Sequence, residues 1–554
     1  MLLSVDIESK TMGNKELFAG LKFSVEAKEK LAIIGRNGVG KTTLFRMLSG
    51  EDHDFAGDIQ LQRGMRLVST AQEHHAVAHE SVLDYVVGNL PEFARLKNII
   101  DTFPETMGDD MQKITAYSNA LERFSELGYY NIEDVVLQSL AAYQIDETKA
   151  RGALAKLSGG QKRFVELVRI EHANADIVLI DEPTNHMDFV AKAAFIEWLK
   201  AAPQTVLVIT HDRDVLQSVG RIIEIKDGRA NISKGNYENY LKQNAASTAT
   251  KMNDYEIGLR TLENLQKQIA WARARKPSWH GTADQRNPFV VMERRLQKEL
   301  DELQARLVKP NFWIDRESAE GLNKKVGDHY AKYKAQNIRI TKNGEAEQAR
   351  ELVRVEDLQL GYGDAPLFAP VNFRLQHGDR LRLIGRNGAG KTTLVRALLA
   401  AAEGKRAETW RAGSIFCSNK LRLSVYEQET DAGLLALTLA EAIEQTYREL
   451  GVRTNNELVM RTMGDYLFNP HEDGRLPVAQ LSGGQKARLQ IIKMLASNPN
   501  LLILDEPTNH LDLPSVEELE NALGNYHGAL LYVTHDSYFA KNIGGEALTL
   551  APAL

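Results

Sequence analysis

The chain has 554 residues, and at roughly 100 to 200 residues per domain this length predicts three or four globular units. Its residues are 43% hydrophobic and 26% charged, which is typical of a soluble protein, and its formal net charge is -6. A mildly acidic chain does not bind nucleic acid or anionic membranes over its whole surface, so any such role requires a local basic patch. The single cysteine, Cys417, excludes an intramolecular disulfide, a zinc ribbon and a cysteine-ligated iron–sulfur cluster.

The sequence carries no pattern of a targeting or membrane-spanning segment. Residues 1–10 include charged side chains and lack the basic start and apolar stretch of a signal peptide. The longest apolar runs, such as 177–180 and 206–209, are far shorter than the roughly 18 to 20 residues that span a bilayer. We therefore expect a cytoplasmic protein in a reducing compartment.

An internal repeat organises the chain. Three motifs occur twice in the same order, at 35–43 and 385–393, at 157–162 and 481–486, and at 181–186 and 505–510. The first pair is separated by 350 positions and the other two by 324, because the first copy carries 26 more residues between its first two motifs. The repeat predicts homologous domains at 1–241 and 350–554, with a segment of different character at 242–349.

Each copy has the pattern of a mixed α/β domain. The apolar run 31–34 leads into glycines and then into a helical pattern from Lys41, which is the strand, loop and helix order of a phosphate-binding unit. Short apolar runs before Asp181 and Asp505 predict buried parallel strands. The polar side chains that follow these runs therefore lie at strand ends, where open α/β sheets bind ligands.

The first repeated motif is a complete P-loop in both copies. Its glycines let the backbone wrap around phosphates, its lysine supplies a positive charge, and its threonine can ligate Mg²⁺. Two matches in register leave little room for the alternative of an ordinary tight turn. We assign nucleotide binding to Gly35, Asn37, Gly38, Gly40, Lys41, Thr42 and Thr43, and to Gly385, Asn387, Gly388, Gly390, Lys391, Thr392 and Thr393.

Two carboxylate pairs follow the apolar strands. In phosphoryl transfer, Asp181 or Asp505 would hold Mg²⁺ together with Thr42 or Thr392, and Glu182 or Glu506 would orient or deprotonate the attacking water. The alternative is a solvated acidic pair at a strand end. The P-loops in the same chain favour the catalytic interpretation.

Two histidines and two glutamines complete the candidate sites. His211 and His535 follow apolar strands in matching contexts and would contact the γ-phosphate, although a lone histidine is more often structural. Gln72 and Gln428 each stand in a Gln-Glu pair and would reach Mg²⁺ or the attacking water, although glutamine is a common surface residue.

These motifs together resemble the ATP-binding cassette domain. The resemblance implies that the two cassettes of one monomer pair head to tail, so that the Leu-Ser-Gly-Gly-Gln motif of each closes over ATP held by the other. A serine and two glycines at a helix N-terminus form an anion site, which suits phosphate binding by this motif. The alternative is a helix cap with flexible glycines. Site one would combine the first P-loop, Gln72, Asp181, Glu182 and His211 with Ser482, Gly483, Gly484 and Gln485; site two would combine the second P-loop, Gln428, Asp505, Glu506 and His535 with Ser158, Gly159, Gly160 and Gln161. Asp188 and Asp512 match the family's aspartate that connects the sites across the interface.

The insert between the cassettes, 242–349, predicts a helical hairpin. One apolar stripe ends at Ala272 and another begins at Leu296, with a stretch rich in helix breakers between them. From 271 to 298, seven basic residues stand against two acidic ones, with two tryptophans among them. Such a tip suits phosphate contact and base stacking; the alternative is a solvated hairpin whose tryptophans pack on the cassettes. The candidate contacts are Arg273, Arg275, Lys276, Trp279 and Arg286.

Two intact cassettes around a long charged insert, without membrane spans, resemble the ABC-F group of cytosolic proteins, whose members act on ribosomes. The resemblance implies an Mg²⁺-dependent ATPase that binds the ribosome in its ATP-closed state, with its linker near transfer RNA and the peptidyl-transferase centre. A translation factor and an antibiotic-resistance factor both remain open. The alternatives from other classes are the ATPase subunit of a transporter with separate membrane partners and a regulatory binder with idle ATP sites.

Two further segments have less definite interpretations. The first cassette has about 32 extra residues in its helical part, and a short ribosome-contacting arm would lie within 96–127. Residues 311–345 add a unit with one apolar helical face, for which core packing is the simplest interpretation.

One departure from the family pattern yields a prediction. Tyr362 occupies the place of the aromatic residue on which the family stacks adenine, and the equivalent residue of the first cassette is Met12, which has no π face. We expect ATP to bind site one more weakly than site two. Nucleotide titrations of the Glu182→Gln and Glu506→Gln variants measure the difference, and equal affinities would contradict it.

Overall fold

The computed structural model describes the 554-residue chain except for residues 14, 71–78, 107, 109, 186, 280–286, 308–350, 364, 427–430, 467, 471, 472, 482, 510, 553 and 554. By contacts between Cα atoms the chain divides into two units. The larger unit contains both cassettes, at 1–237 and 338–554, and the smaller comprises 238–337. No helix in the described ranges is both long and apolar enough to cross a membrane.

The first cassette alternates strands and helices after an antiparallel start. Its strands are β1 (Leu3–Met12), β2 (Lys15–Val25), β3 (Lys30–Ile34), β4 (Ala56–Leu61), β5 (Leu67–Ser69), β6 (Ile177–Asp181), β7 (Thr205–Ile209), β8 (Arg221–Lys226) and β9 (Arg229–Lys234). Its α-helices are α1 (Lys41–Leu48), α2 (Val82–Gly88), α3 (Phe93–Thr106), α4 (Met111–Glu126), α5 (Ile132–Ala142), α6 (Glu147–Ala150), α7 (Gly159–His172), α8 (Phe189–Ala201) and α9 (Arg213–Leu216).

The insert and the second cassette continue this order. The insert contains α10 (Tyr237–Arg275) and α11 (Pro288–Arg306). The strands of the second cassette are β10 (Glu351–Tyr362), β11 (Ala365–Pro366), β12 (Val371–Gln376), β13 (Arg380–Ile384), β14 (Trp410–Cys417), β15 (Leu423–Tyr426), β16 (Leu501–Asp505), β17 (Ala529–Val533) and β18 (Glu546–Thr549). Its α-helices are α12 (Lys391–Ala402), α13 (Leu439–Glu449), α14 (Asn456–Asp465), α15 (Gly483–Ala496), α16 (Leu513–Gly524) and α17 (Ser537–Ile543).

A mainly parallel sheet positions the site residues of each cassette. The order is β5-β6-β7-β3-β8-β9 in the first cassette and β15-β16-β17-β13-β18 in the second. The strands β6, β7 and β17 are buried along their whole length, as their continuous apolar sequences require, because helices cover both faces of such sheets. The P-loop strand lies beside β7 or β17, so the P-loop, the Asp-Glu pair and the histidine meet at one sheet edge. The predicted α/β fold class is confirmed.

An extra helix pair, α3 and α4, accounts for the longer helical part of the first cassette. The rings of Phe93 and Phe124 lie 5.7 Å apart, and both pack on Tyr129. Arg123 forms an ion pair of 3.1 Å with Glu92, just before the first of these helices. The pair corresponds in position to the arm predicted within 96–127, whose contact with a ribosome stays a prediction.

The insert forms the expected helical hairpin along an apolar seam. Its core is made by Leu265 and Ile269 of α10 and by Leu296 and Leu300 of α11. Helix α10 begins at Tyr237, well before the predicted start near 251, because the intervening residues include no glycine or proline to stop it. At 1.5 Å per residue its 39 residues extend about 58 Å. The predicted unit at 311–345 lies outside the described residues.

The seam predicts the local stability of the hairpin. Leu300 is 7% exposed, so Leu300→Ala removes buried methyl groups and should lower the local opening free energy by about 2 kcal/mol. Val291→Ala is the control on the same helix, because Val291 is 54% exposed. Amide hydrogen exchange across α10 and α11 measures both variants, and equal protection in the two would contradict the seam.

Candidate functional site

Each P-loop connects a strand, β3 or β13, to a helix that begins at its lysine. Gly40 and Gly390 precede these helices with left-handed backbones, at φ 99° and 90°. A Cβ atom at Gly40 would lie 2.9 Å from the ring of Phe18, and one at Gly390 would lie 3.0 Å from Phe368. Both the backbone conformation and the available space therefore require glycine.

The P-loop lysines lie within their own loops. Lys41 Nζ donates to the carbonyl oxygen of Gly35 at 2.7 Å, and Lys391 Nζ donates to that of Gly385 at 2.7 Å. Burial lowers the pKa of both lysines, while carboxylates nearby oppose that shift. Each loop thus holds an ammonium group where it would meet the phosphates of a nucleotide.

A hydroxyl and a carboxylate meet beside each P-loop. Thr42 Oγ1 donates to Asp181 Oδ2 at 2.8 Å, and Thr392 Oγ1 donates to Asp505 Oδ2 at 2.8 Å. Mg²⁺ in nucleotide sites takes one or two such oxygens and shares its other positions with water and phosphate. The residues present therefore fit a magnesium ion in both sites.

The glutamates after these aspartates have an unusual backbone. Glu182 and Glu506 have φ values of 46° and 48°, a region that residues other than glycine rarely adopt. The conformation turns each carboxylate towards the histidine of the next strand. His535 Nε2 lies 3.1 Å from Glu506 Oε1, and His211 Nε2 lies 3.6 Å from Glu182 Oε1.

Burial dominates the electrostatics of these pairs. It raises the pKa of Glu182 and raises that of Glu506 to about 7. It also lowers the pKa of His211 and lowers that of His535 to about 4, so both imidazoles are neutral at pH 7. Within the described residues neither ring nitrogen of His211 has a hydrogen-bond partner, which leaves both available to a ligand.

Two aspartates join the cassettes at the P-loops. Asp188 Oδ2 accepts a hydrogen bond from the backbone N–H of Asn387 at 3.1 Å, and Asp512 Oδ2 accepts one from Asn37 at 2.9 Å. The other carboxylate oxygen of each aspartate caps the helix that follows it, α8 or α16. Each P-loop is therefore fixed by a residue of the opposite cassette.

A cavity of about 760 Å³ follows this interface and is lined by both cassettes. Its lining at site two includes Ser158, Gly159, Tyr362, Lys391, Thr392, Asp505, Glu506 and His535, and it extends to Asn37, Glu182 and His211 of site one. The structure thus brings the first cassette's Leu-Ser-Gly-Gly-Gln motif to the second cassette's P-loop.

Tyr362 and Met12 end the equivalent strands β10 and β1 and are 60% and 66% exposed.

The Leu-Ser-Gly-Gly-Gln motif begins a helix in both cassettes. Ser158 caps α7 by accepting from the N–H of Gln161, whose side chain accepts in return from the N–H of Ser158. Gln161 thereby fixes the loop, and Gly159 and Gly160 lie in the first turn, at the positive end of the helix. In the second cassette α15 begins at Gly483, and Gln485 donates to Asp473 at 3.0 Å.

Several predicted site residues lie outside the described part of the chain. They are Gln72, Gln428, Ser482 and Arg286. The cavity lining also includes residues that were not predicted, among them Lys192 in helix α8. A comparison of the repeats at the 324-position offset would have marked it, since its counterpart is Val516.

The basic end of the hairpin is a second candidate site. Arg273 and Lys276 share Glu293, the former at 2.7 Å. The guanidinium of Arg275 lies 4.4 Å from the ring centre of Trp271, whose side chain is 45% exposed. A cation stacked on an exposed indole offers both phosphate and base contacts.

Known proteins are similar in sequence over almost the whole chain. The ATP-binding protein YdiF of Bacillus subtilis is 29% identical over all of this chain and 80% of its own length. The energy-dependent translational throttle protein EttA of Escherichia coli is 27% identical, covering 96% of this chain and 89% of its own. The ribosome protection protein VmlR of Bacillus subtilis is 25% identical, covering 97% and 84%.

A solved structure and a family profile agree with these relatives. The structure of the RNase-L Inhibitor superposes with a TM-score of 0.55 over 96% of this chain and 85% of that chain; at 17% identity it shows the fold alone. The ABC transporter profile matches residues 18–185 and 368–509, more than half of the chain. The chain therefore belongs to the ABC transporter family, and its ABC-F form, predicted from the sequence, is confirmed.

Proposed function

We propose that this protein is a cytoplasmic Mg²⁺-dependent ATPase that binds the ribosome in its ATP-closed state and modulates translation or protects the ribosome from antibiotics. The observation that carries the closed state is the reciprocal bonding of Asp188 and Asp512 to the opposite P-loops. A monomer that pairs its own cassettes in this way encloses two nucleotide sites.

Each residue of the two sites has a proposed role. Lys41 and Lys391 bind the β- and γ-phosphates, and Ser158 or Ser482 closes over the phosphates from the opposite cassette. Glu182 and Glu506 orient and deprotonate the attacking water, and His211 and His535 donate to the γ-phosphate.

A magnesium ion, when bound, neutralises charge on the phosphates and draws electrons away from the bond that breaks. Thr42 and Asp181 would hold it in site one, and Thr392 and Asp505 in site two, because these oxygens already lie together. Gln72 and Gln428 are assigned to the same ligand sets from the sequence alone.

The hairpin and the similar proteins both support the ribosome as the partner. The basic end of the hairpin combines Arg273, Arg275 and Lys276 with Trp271 and Trp279, a set suited to RNA rather than to a protein or membrane partner. Two relatives that match over almost the whole chain are named for translation and ribosome protection. The transporter alternative has weaker support, because nothing comparable favours a membrane partner.

The proposal predicts co-sedimentation with ribosomes. The Glu182→Gln, Glu506→Gln double variant should bind ATP without hydrolysing it and so stay closed on the ribosome. Sucrose-gradient sedimentation with ATP should place it with ribosomes, and sedimentation with ADP is the control. Migration away from ribosomes in ATP would contradict the proposal, and binding to membranes instead would favour the transporter alternative.

The basic end of the hairpin gives a second prediction. Arg275→Ala should weaken ribosome binding and reduce the slope of log affinity against log salt by about 1, as loss of one phosphate contact does. Arg260→Ala is the matched control on the same helix, since Arg260 is 77% exposed but lies about 22 Å along the helix from Arg275. If the two substitutions changed ribosome binding equally, the prediction that the basic end of the hairpin contacts RNA would be wrong.

A drug-susceptibility test separates the two versions of the function. Cells that express an antibiotic-resistance factor should tolerate more of at least one peptidyl-transferase inhibitor than cells with the double glutamine variant. Unchanged tolerance of every such drug would contradict the antibiotic-resistance version and would leave the translation-factor version.

A further inference from the structure

Lys192 is buried where the two cassettes meet. It lies one turn after Asp188, the helix cap that bonds to the second P-loop, and it is 6% exposed. Its ammonium group donates to the backbone carbonyl oxygen of His535 at 3.0 Å. The same group lies 2.9 Å from Asp212 and 2.5 Å from Asp214. One side chain of the first cassette thus connects the loops that follow both site histidines.

The surrounding contacts show that this connection is firmly held. Asp214 also accepts a hydrogen bond from Ser537 Oγ at 2.5 Å, two residues beyond His535. Arg213, which is 3% exposed, forms an ion pair of 2.7 Å with Glu520 of the second cassette. Burial lowers the pKa of Lys192, but the two aspartates together raise it above its usual value, so the ammonium remains charged.

The repeat has no chemical counterpart of this arrangement at site one. At the 324-position offset, Lys192 corresponds to Val516, whose side chain has no donor. Arg213 and Asp214 correspond to Ser537 and Tyr538, which carry no charge at pH 7. Lys192 ion-pairs with Asp212 and Asp214 of the loop that follows His211, whereas in site two it bonds to the backbone carbonyl of the histidine itself. The counterpart Val516 can donate no such bond to His211.

The distance between the histidine and glutamate side chains is shorter in site two than in site one. In site two His535 Nε2 lies 3.1 Å from Glu506 Oε1, without a hydrogen bond between these two atoms. The backbone N–H of the histidine donates to the glutamate in both sites, at 3.3 Å for His535. In site one the side chains of His211 and Glu182 are separated by 3.6 Å. A fixed carbonyl at His535 limits where its imidazole can move relative to the glutamate.

We propose that Lys192 is a positioning residue that fixes the His535 loop of site two across the cassette interface, so that site two hydrolyses ATP faster than site one. The inference rests on the proposed ATPase function and adds which of the two sites hydrolyses ATP faster. Lys192 does not touch the reacting atoms; it acts through the backbone of His535.

Single-site variants allow the test. Glu182→Gln leaves only site two competent, and Glu506→Gln leaves only site one. Rapid mixing with ATP and a fluorescent phosphate sensor measures the first-turnover rate of each, and its dependence on ATP concentration separates the rate from the apparent affinity. The parent with site two intact should be the faster.

Lys192→Met should slow the first turnover of site two by about 10- to 100-fold at saturating ATP, as a small misplacement of catalytic groups does, with little change in apparent ATP affinity. The rate of site one should fall less, because the contacts of Lys192 in that site are with Asp212 and Asp214 rather than with His211 itself. Lys192→Arg should restore most of the rate of site two, because it keeps the charge and the donors. Lys200→Met is the matched control, since Lys200 lies on the same helix in an exposed ion pair with Glu197.

The outcomes are distinct. Equal slowing of both sites would assign Lys192 a general structural role and overturn the inference, and so would an unchanged rate in site two. Should Lys192→Met fail to fold, Lys192→Met with Asp214→Asn removes the charge along with one of its carboxylate partners, and the same comparison applies. Absence of a phosphate burst in both parents would contradict the ATPase function itself, whereas failure to bind ribosomes with the burst difference intact would contradict only the ribosomal role.

Discussion

The structure depends on one constraint, namely that each P-loop is bonded by an aspartate of the opposite cassette. A P-loop offers N–H groups and a lysine from one side only, and the facing side must come from a second helix N-terminus. The bonds from Asp188 and Asp512 to the opposite P-loops set the distance at which this can occur. Because each aspartate also caps its own helix through its other carboxylate oxygen, the cap holds the side chain in the orientation that reaches the opposite P-loop.

The glutamates show how this constraint reaches the chemistry. A left-handed backbone at Glu182 and Glu506 costs on the order of 1 kcal/mol or more each, and such a conformation persists only where surrounding contacts hold it. The N–H of each glutamate bonds to the strand that precedes the site histidine, at Ile209 or Val533. The strain therefore places a carboxylate between the P-loop and the histidine, where a water attacking the γ-phosphate would lie.

Much of the site was predictable because its chemistry is local in sequence. The P-loops, the Asp-Glu pairs and the helix-starting serine at 158 each need only a few consecutive residues to define their conformation. The start of α10 at Tyr237 was missed because polar and small residues at 242–251 separate its first apolar positions, Tyr237, Tyr240 and Leu241, from the apolar stripe that ends at Ala272. Lys192 was missed for a different reason, since its contact with His535 joins residues 343 positions apart and only the fold brings them together.

The comparison of the two copies explains why the sites need not act alike. The interactions that a repeat needs in order to pair are duplicated, as the two aspartates and the two threonine–carboxylate contacts show. The interactions that differ lie beside these and do not replace them. A pseudo-symmetric pair can therefore keep a common closed state while its two sites hold their catalytic groups with different firmness. If hydrolysis begins at the site whose catalytic groups are held more firmly, the interface would open first at that site. The two cassettes would then separate in a fixed order.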